Sequence, residues 1–129
     1  MSLINMKLSK DNNIFYNLEN IEALVNEKVI EFEIENTKNV YNISDEGCIF
    51  KRENDEFEFV LDTIKKEATY LLKETNTLLD IIVEKCEFED FKDKIRLSYQ
   101  LESDDCLNII EIEKGENNNE FFEWTREIN

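Results

Sequence analysis

Hydrophobic and polar residues alternate most regularly between Lys94 and Leu101. The apolar positions of this stretch are Ile95, Leu97, Tyr99 and Leu101. A period of two places neighbouring side chains on opposite faces of an extended strand. A polar break at residues 102–105 follows, and Ser and Asp favour turns because their short side chains bond to nearby backbone groups. A second β-rich run ends at Glu113, so the pattern predicts a β-hairpin over 94–113.

The same period of two recurs upstream. It is clearest at Ile30, Phe32 and Ile34, which alternate with glutamates, and at Phe57, Phe59 and Leu61. Shorter β-like runs are centred on residues 40–44, 48–52 and 67–73, and the apolar run 77–88 is either one bent strand or two. We therefore predict about eight strands between Val29 and Glu113, at the spacing expected of a sandwich or barrel.

The two ends of the chain carry different patterns. Residues 1–12 are weakly patterned and are expected to fray, at least in part. The apolar residues that follow are spaced by four, three and four, and this predicts a short N-terminal helix: Ile14, Leu18, Ile21 and Val25. A pair of short strands is the alternative, because Phe15 and Tyr16 suit either state.

Near the C-terminus, Phe121, Trp124 and Ile128 share one face of a helix. The favoured interpretation is a short C-terminal helix that docks on its own barrel. The alternative is an exposed contact for a second subunit, so both a monomer and a homodimer remain open.

The length of 129 residues, 41% of them hydrophobic, suits one domain with a real core. We expect a single domain over 1–129, with its β-barrel core at about 29–113 and flanking segments at 1–28 and 114–129.

The order of strands from about residue 56 to residue 114 resembles the YwiB-like family of small bacterial β-barrels, which is grouped with the calycin-like folds. The resemblance lies in the segments 57–60, 68–72, 77–88, 95–101 and 107–112. It implies a mainly β, calycin- or lipocalin-like, antiparallel up-and-down barrel and no particular activity. Such a barrel would place a strand early in the chain, where the spacing at 14–25 predicts a helix.

Charge limits the partners that this chain can bind. It has 31 acidic and 15 basic residues, a net charge of −16. Such a field repels phosphate backbones and anionic lipid surfaces, so neither nucleic acid nor membrane is an expected partner. Cys48, Cys86 and Cys106 are odd in number and widely spaced, which favours reduced thiols in the cytoplasm.

Missing residue types exclude most catalytic arrangements. The chain has no His, so it lacks Ser-His and Cys-His pairs, His-containing zinc sites and imidazole acid–base catalysis. With two Gly it cannot build a phosphate-binding Gly-rich loop. The many acidic pairs, such as Glu31/Glu33, are interpreted as solvated strand faces. We therefore expect no enzyme activity and no cofactor or metal.

Tyr70 and Tyr99 are the candidate ligand-binding residues, because both lie on apolar strand faces that would point into a barrel. A small barrel either fills its interior with side chains or holds one small ligand, and a packed core is favoured here. The first functional hypothesis is a non-enzymatic cytoplasmic barrel, either a scaffold or a binder of a small apolar or amphipathic ligand. The alternative is an acidic interaction module that binds a basic protein partner, as an inhibitor, an immunity-type protein or a nucleic-acid mimic would.

Overall fold

A computed structural model describes residues 1–115 of the chain, and these residues form eleven β-strands and no helix. The strands are β1 (Ser2–Lys10), β2 (Asn13–Val25), β3 (Val29–Ile34), β4 (Thr37–Ile43), β5 (Cys48–Glu53), β6 (Phe57–Asp62), β7 (Glu67–Leu72), β8 (Thr77–Ile81), β9 (Val83–Asp90), β10 (Lys94–Leu101) and β11 (Asn108–Lys114). The prediction of a mainly β, antiparallel, barrel-like fold is confirmed.

The strands form one antiparallel meander that is nearly closed. Their order is β8-β7-β6-β5-β4-β3-β2-β1-β11-β10-β9, so β1 joins the two ends of the described chain by pairing with β11. β2 and β3 pair only through Leu24↔Glu31 and Val25↔Ile30. β8 and β9, the two ends of the sheet, are joined through the single residue Ile82. The sheet therefore has two halves. β9–β11, β1 and most of β2 form one half, and the end of β2 and β3–β8 form the other. The chain passes between the halves at the end of β2 and at Ile82.

The core is built from the inward side of these strands. Ile95 and Leu97 on β10 are at most 1% exposed, and Tyr99 is 9% exposed, as the alternation predicted. The other fully buried large side chains are Ile4, Ile30, Tyr41, Phe50, Leu61 and Ile112. The outward positions of the same strands carry most of the charge, so the alternation of the sequence is also the division between core and solvent.

The N-terminal part of the chain differs from the prediction. A helix over 14–25 is wrong, because these residues form most of β2. Residues 1–12 do not fray: β1 lies between β2 and β11 and pairs with both. Asp11 and Asn12 join β1 to β2 with φ of 50° and 72°, the left-handed pair that a two-residue hairpin turn requires.

A β-bulge explains one helix-like interval in β2, the spacing of three between Leu18 and Ile21. Ile4 pairs with Ile21 and Met6 with Leu18, so two residues of β1 oppose three of β2. Asn20 adopts φ of 60° at this bulge, and its N–H donates to Asn5 Oδ1 at 3.0 Å. A bulge of this kind changes the spacing of buried residues from two to three, which a periodicity argument interprets as a helix.

The remaining strand predictions have mixed outcomes. The hairpin at the C-terminal side is present as β10 and β11, and the apolar run 77–88 is two strands, β8 and β9. Between Val29 and Glu113 the structure has nine strands, β3 to β11, where about eight were predicted. β1 and β2, in the segment predicted to fray and to form a helix, bring the total over residues 1–115 to eleven. The predicted C-terminal helix lies outside the described residues.

Candidate functional site

One cavity of the described chain lies among the inward side chains of the barrel and opens to solvent beside four of its turns. Its volume is about 510 Å³, within the range of about 300–1,000 Å³ that small-molecule sites occupy. The lining includes residues next to four turns: Lys10 at the end of β1, Glu35 in the turn after β3, Phe57 at the start of β6 and Leu101 at the end of β10. Side chains from both halves of the sheet therefore enclose one space.

Aromatic rings form a belt through the core and reach the cavity. Ring centroids are 4.6 Å apart for Tyr41 and Phe50, 6.2 Å for Phe50 and Phe59, and 6.3 Å for Phe59 and Tyr99. Phe50, Phe59 and Tyr99 line the cavity. Such contacts stabilise a core beyond the area that they bury, and they give the cavity a rigid, apolar wall.

Both tyrosines singled out from the sequence line this cavity. Tyr70 is half-buried and stacks on Phe57 with centroids 5.2 Å apart. Burial raises the pKa of Tyr99 to about 12, against a smaller opposing effect of the Arg52 charge. The Tyr99 hydroxyl is therefore protonated at neutral pH and is able to donate a hydrogen bond. That either residue binds a ligand stays a prediction.

Arg52 also lines the cavity, and the sequence reasoning missed it. It follows Cys48 and Phe50 at intervals of two on the inward side of β5, and it is paired with Asn39 and Phe59 on the neighbouring strands. The parity of β5 was a signal for this position, because every second residue from Cys48 points inward. Unlike Cys48 and Phe50, Arg52 is exposed, so its side chain reaches solvent.

Two buried amides support the polar part of the lining. The Asn39 side-chain amide donates to the Thr37 carbonyl at 3.1 Å. The Asn108 side-chain amide lies 3.4 Å from each of three acceptors: the Tyr99 carbonyl, the Cys106 carbonyl and the Asp104 carboxylate. Buried polar groups stabilise a fold only when they are bonded. These amides therefore hold the strands and the β10–β11 loop in place around the cavity.

The cysteines do not form a nucleophilic site in residues 1–115. Cys48 and Cys86 are buried, Cys106 is half-buried, and all three are free thiols. Burial is the main cause that raises the pKa of Cys48 to about 12, and it also raises the pKa values of Cys86 and Cys106. A thiol needs a lowered pKa to be a good nucleophile.

Acidic side chains lie on the outward side of several strands of the barrel. Outward glutamates occur on β3, β6, β9 and β11, for example Glu33, Glu58, Glu87 and Glu113. Nine ion pairs, each partly exposed, link some of the acidic residues among 1–115 to Lys or Arg. Within the same residues, no group of three or more Cys, Asp or Glu side chains is arranged to hold a metal ion. Binding of a basic partner stays a prediction.

No family model, no curated protein and no solved structure matches this chain. Over residues 1–115, no helix has the length and apolarity of a membrane span.

Proposed function

We propose that this protein is a non-enzymatic, cytoplasmic binder of a small amphipathic ligand, which it holds inside the barrel. The observation that supports the proposal is the cavity of about 510 Å³, whose wall combines apolar and aromatic side chains with polar and charged ones. Small-molecule sites likewise join an apolar wall to polar groups that orient the ligand. The calycin- or lipocalin-like relationship, with the YwiB-like family in particular, belongs to the same proposal, since those folds enclose an interior of this kind.

The two sides of the lining suit the two parts of an amphipathic molecule. Phe50, Phe59 and Ile110 are buried and offer no polar side-chain atom to a ligand. Arg52 and Ser103 are exposed to solvent at the same cavity. A ligand whose apolar part lies against the rings and whose polar part faces the exposed residues would leave no group without a favourable environment.

A cavity-filling substitution tests this proposal. Leu8 is half-buried and lines the cavity, whereas Ile109 is half-buried on the outward side of β11. Leu8→Trp adds an indole to the ligand space, and Ile109→Trp makes the same change outside it. We expect Nile red, a neutral apolar dye, to bind the wild type and the Ile109→Trp protein. Its affinity for Leu8→Trp should be at least about tenfold lower, about 1.4 kcal/mol.

Native mass spectrometry of the protein purified from its host gives the second measurement. A bound small molecule that is present in the wild type and absent from Leu8→Trp would support the proposal. Circular dichroism of each variant controls for loss of fold. Equal dye affinity in the two variants would place the dye outside the cavity. The proposal would be overturned by that result, or by a wild type that takes up neither dye nor host molecule.

A further inference from the structure

We infer that the ligand of the cavity is an anionic amphiphile, with a carboxylate or sulfate headgroup held by Arg52 and an apolar chain lying against the aromatic wall. This inference rests on the proposed function, since it assigns a ligand class to the same cavity. It begins from a contrast of charge: the whole chain carries −16, whereas two cations and two carboxylates line the cavity, Lys10, Arg52, Glu35 and Asp104. The cavity is a neutral region of a strongly acidic protein.

Arg52 is the cation that remains available inside the barrel. Over residues 1–115, the Arg52 guanidinium has no carboxylate oxygen within 4.0 Å and donates no hydrogen bond to a protein acceptor. Arg96, on the outer surface, lies within 4.0 Å of both Glu89 and Glu111. Arg52 lines the cavity and is exposed to solvent there, so a ligand is able to approach its guanidinium.

The other charged groups of the lining do not take its place. The Lys10 ammonium lies 5.3 Å from the Phe15 ring centroid, in a cation–π contact at the edge of the cavity. Asp104 is anchored to Asn108, with 3.4 Å between its carboxylate and the side-chain amide, and Glu35 is exposed in the turn after β3. Neither carboxylate reaches the guanidinium. Neither cation of the lining is in an ion pair among residues 1–115, but Lys10 is engaged with an aromatic ring and Arg52 is not, so Arg52 is the cation better placed to hold an anion.

The chemistry of the guanidinium defines the headgroup. Its planar donors match two oxygens of one carboxylate, sulfate or phosphate group, and it stays charged at any physiological pH. Arg52 comes one residue before the end of β5, and the buried Phe50 and Cys48 lie deeper on the same side of that strand. A headgroup on Arg52 therefore directs its chain along the Phe50 and Phe59 rings into the cavity.

Four ligands with ten carbons each test the assignment: decanoate, decyl sulfate, decanol and decylamine, titrated by calorimetry below their micelle concentrations. We expect the wild type to bind decanoate or decyl sulfate at least about tenfold more tightly than decanol, and decylamine most weakly. The anion that binds more tightly identifies the headgroup. In Arg52→Gln, the affinity for the anions should fall to that for decanol, and the affinity for decanol should not change.

Lys10→Gln is the matched control, because it removes a cation from the same lining. It should weaken anion binding less than Arg52→Gln, and Arg52→Lys should restore part of the loss. Equal binding of anions and decanol to the wild type would overturn the inference and leave the proposed function standing, and so would tighter binding of decylamine. If none of the four ligands and no dye binds, both fail. The wild-type comparison decides the matter even if Arg52→Gln does not fold.

Discussion

Gly47→Ala should destabilise the protein through one close contact. Gly47 is buried in the turn before β5, and a Cβ atom there would lie 2.5 Å from Thr63 Oγ1 and 2.9 Å from Ile64 Cγ1. The exposed Ile64 side chain is able to rotate away. Thr63 is 8% exposed, and its Oγ1 accepts the Cys48 N–H at 2.8 Å, so it must move and weaken that bond.

The magnitude follows from these two effects. Overpacking a close-packed site costs about 1–3 kcal/mol. A lost hydrogen bond adds about 0.5–1.5 kcal/mol. We expect a total of about 2–4 kcal/mol, a large part of the roughly 5–15 kcal/mol by which a domain is stable, and a fall in Tm of about 10 °C. Urea unfolding followed by circular dichroism measures it, with Asp45→Ala, an exposed change in the same turn, as the control.

A double-mutant cycle identifies the contact. Thr63→Ala removes Oγ1, so Gly47→Ala should cost clearly less in a Thr63→Ala background than in the wild type. Equal costs in the two backgrounds would refute the steric argument. So would a Gly47→Ala protein as stable as the wild type.

Three further predictions concern the core, the ion pairs and the thiols. Leu97→Ala, at a fully buried position of β10, should cost about 2–5 kcal/mol of unfolding free energy, whereas Leu3→Ala, at a partly exposed position of β1, should cost much less. The hydrogen bond from Lys73 holds the pKa of Glu53 below 4.5, so its contribution to stability is full above pH 4.5 and is lost as pH falls through the lowered pKa. The urea midpoint of Glu53→Gln should therefore fall less steeply in acid than that of the wild type, and Glu33→Gln should follow the wild type. Iodoacetamide should modify the half-buried Cys106 before the buried Cys48 and Cys86, as peptide mass spectrometry would detect, and early modification of Cys48 would contradict the role of burial.

Strict alternation allowed β3 and β10 to be predicted, whereas bulged pairing hindered the prediction of β1 and β2. On β3 and β10 every second residue is apolar. The structure buries Ile30 and Phe32 on β3 and Ile95, Leu97 and Tyr99 on β10. On β2 the extra residue at Asn20 replaces a spacing of two by one of three. A bulge depends on the partner strand, which lies elsewhere in the sequence, so local periodicity does not contain it.

The candidate site was accessible to sequence reasoning only in part. Tyr70 and Tyr99 were found because each lies on an apolar face, and both line the cavity. Arg52 was missed because candidate ligand-binding residues were chosen by their position on apolar faces, although Arg52 lies on the same side of β5 as Phe50. The cavity itself depends on how the volumes of the inward side chains add up across both halves of the sheet, which no single segment reveals.

The limited pairing between β2 and β3 connects the fold to the cavity. The strands share two residue pairs, at Leu24 and Val25, whereas β3 and β4 share six. Away from these pairs, Phe15 and Tyr16 on β2 and Ile34 on β3 line the same cavity. Unpaired strand edges are normally a liability, and proteins protect them with charge. In this barrel the part of β2 that pairs with β1 but not with β3 carries Glu19 and Glu22, and no ladder of hydrogen bonds joins it to β3. Under the proposed function, we expect a ligand to reach the aromatic wall here, where no strand pair would have to break.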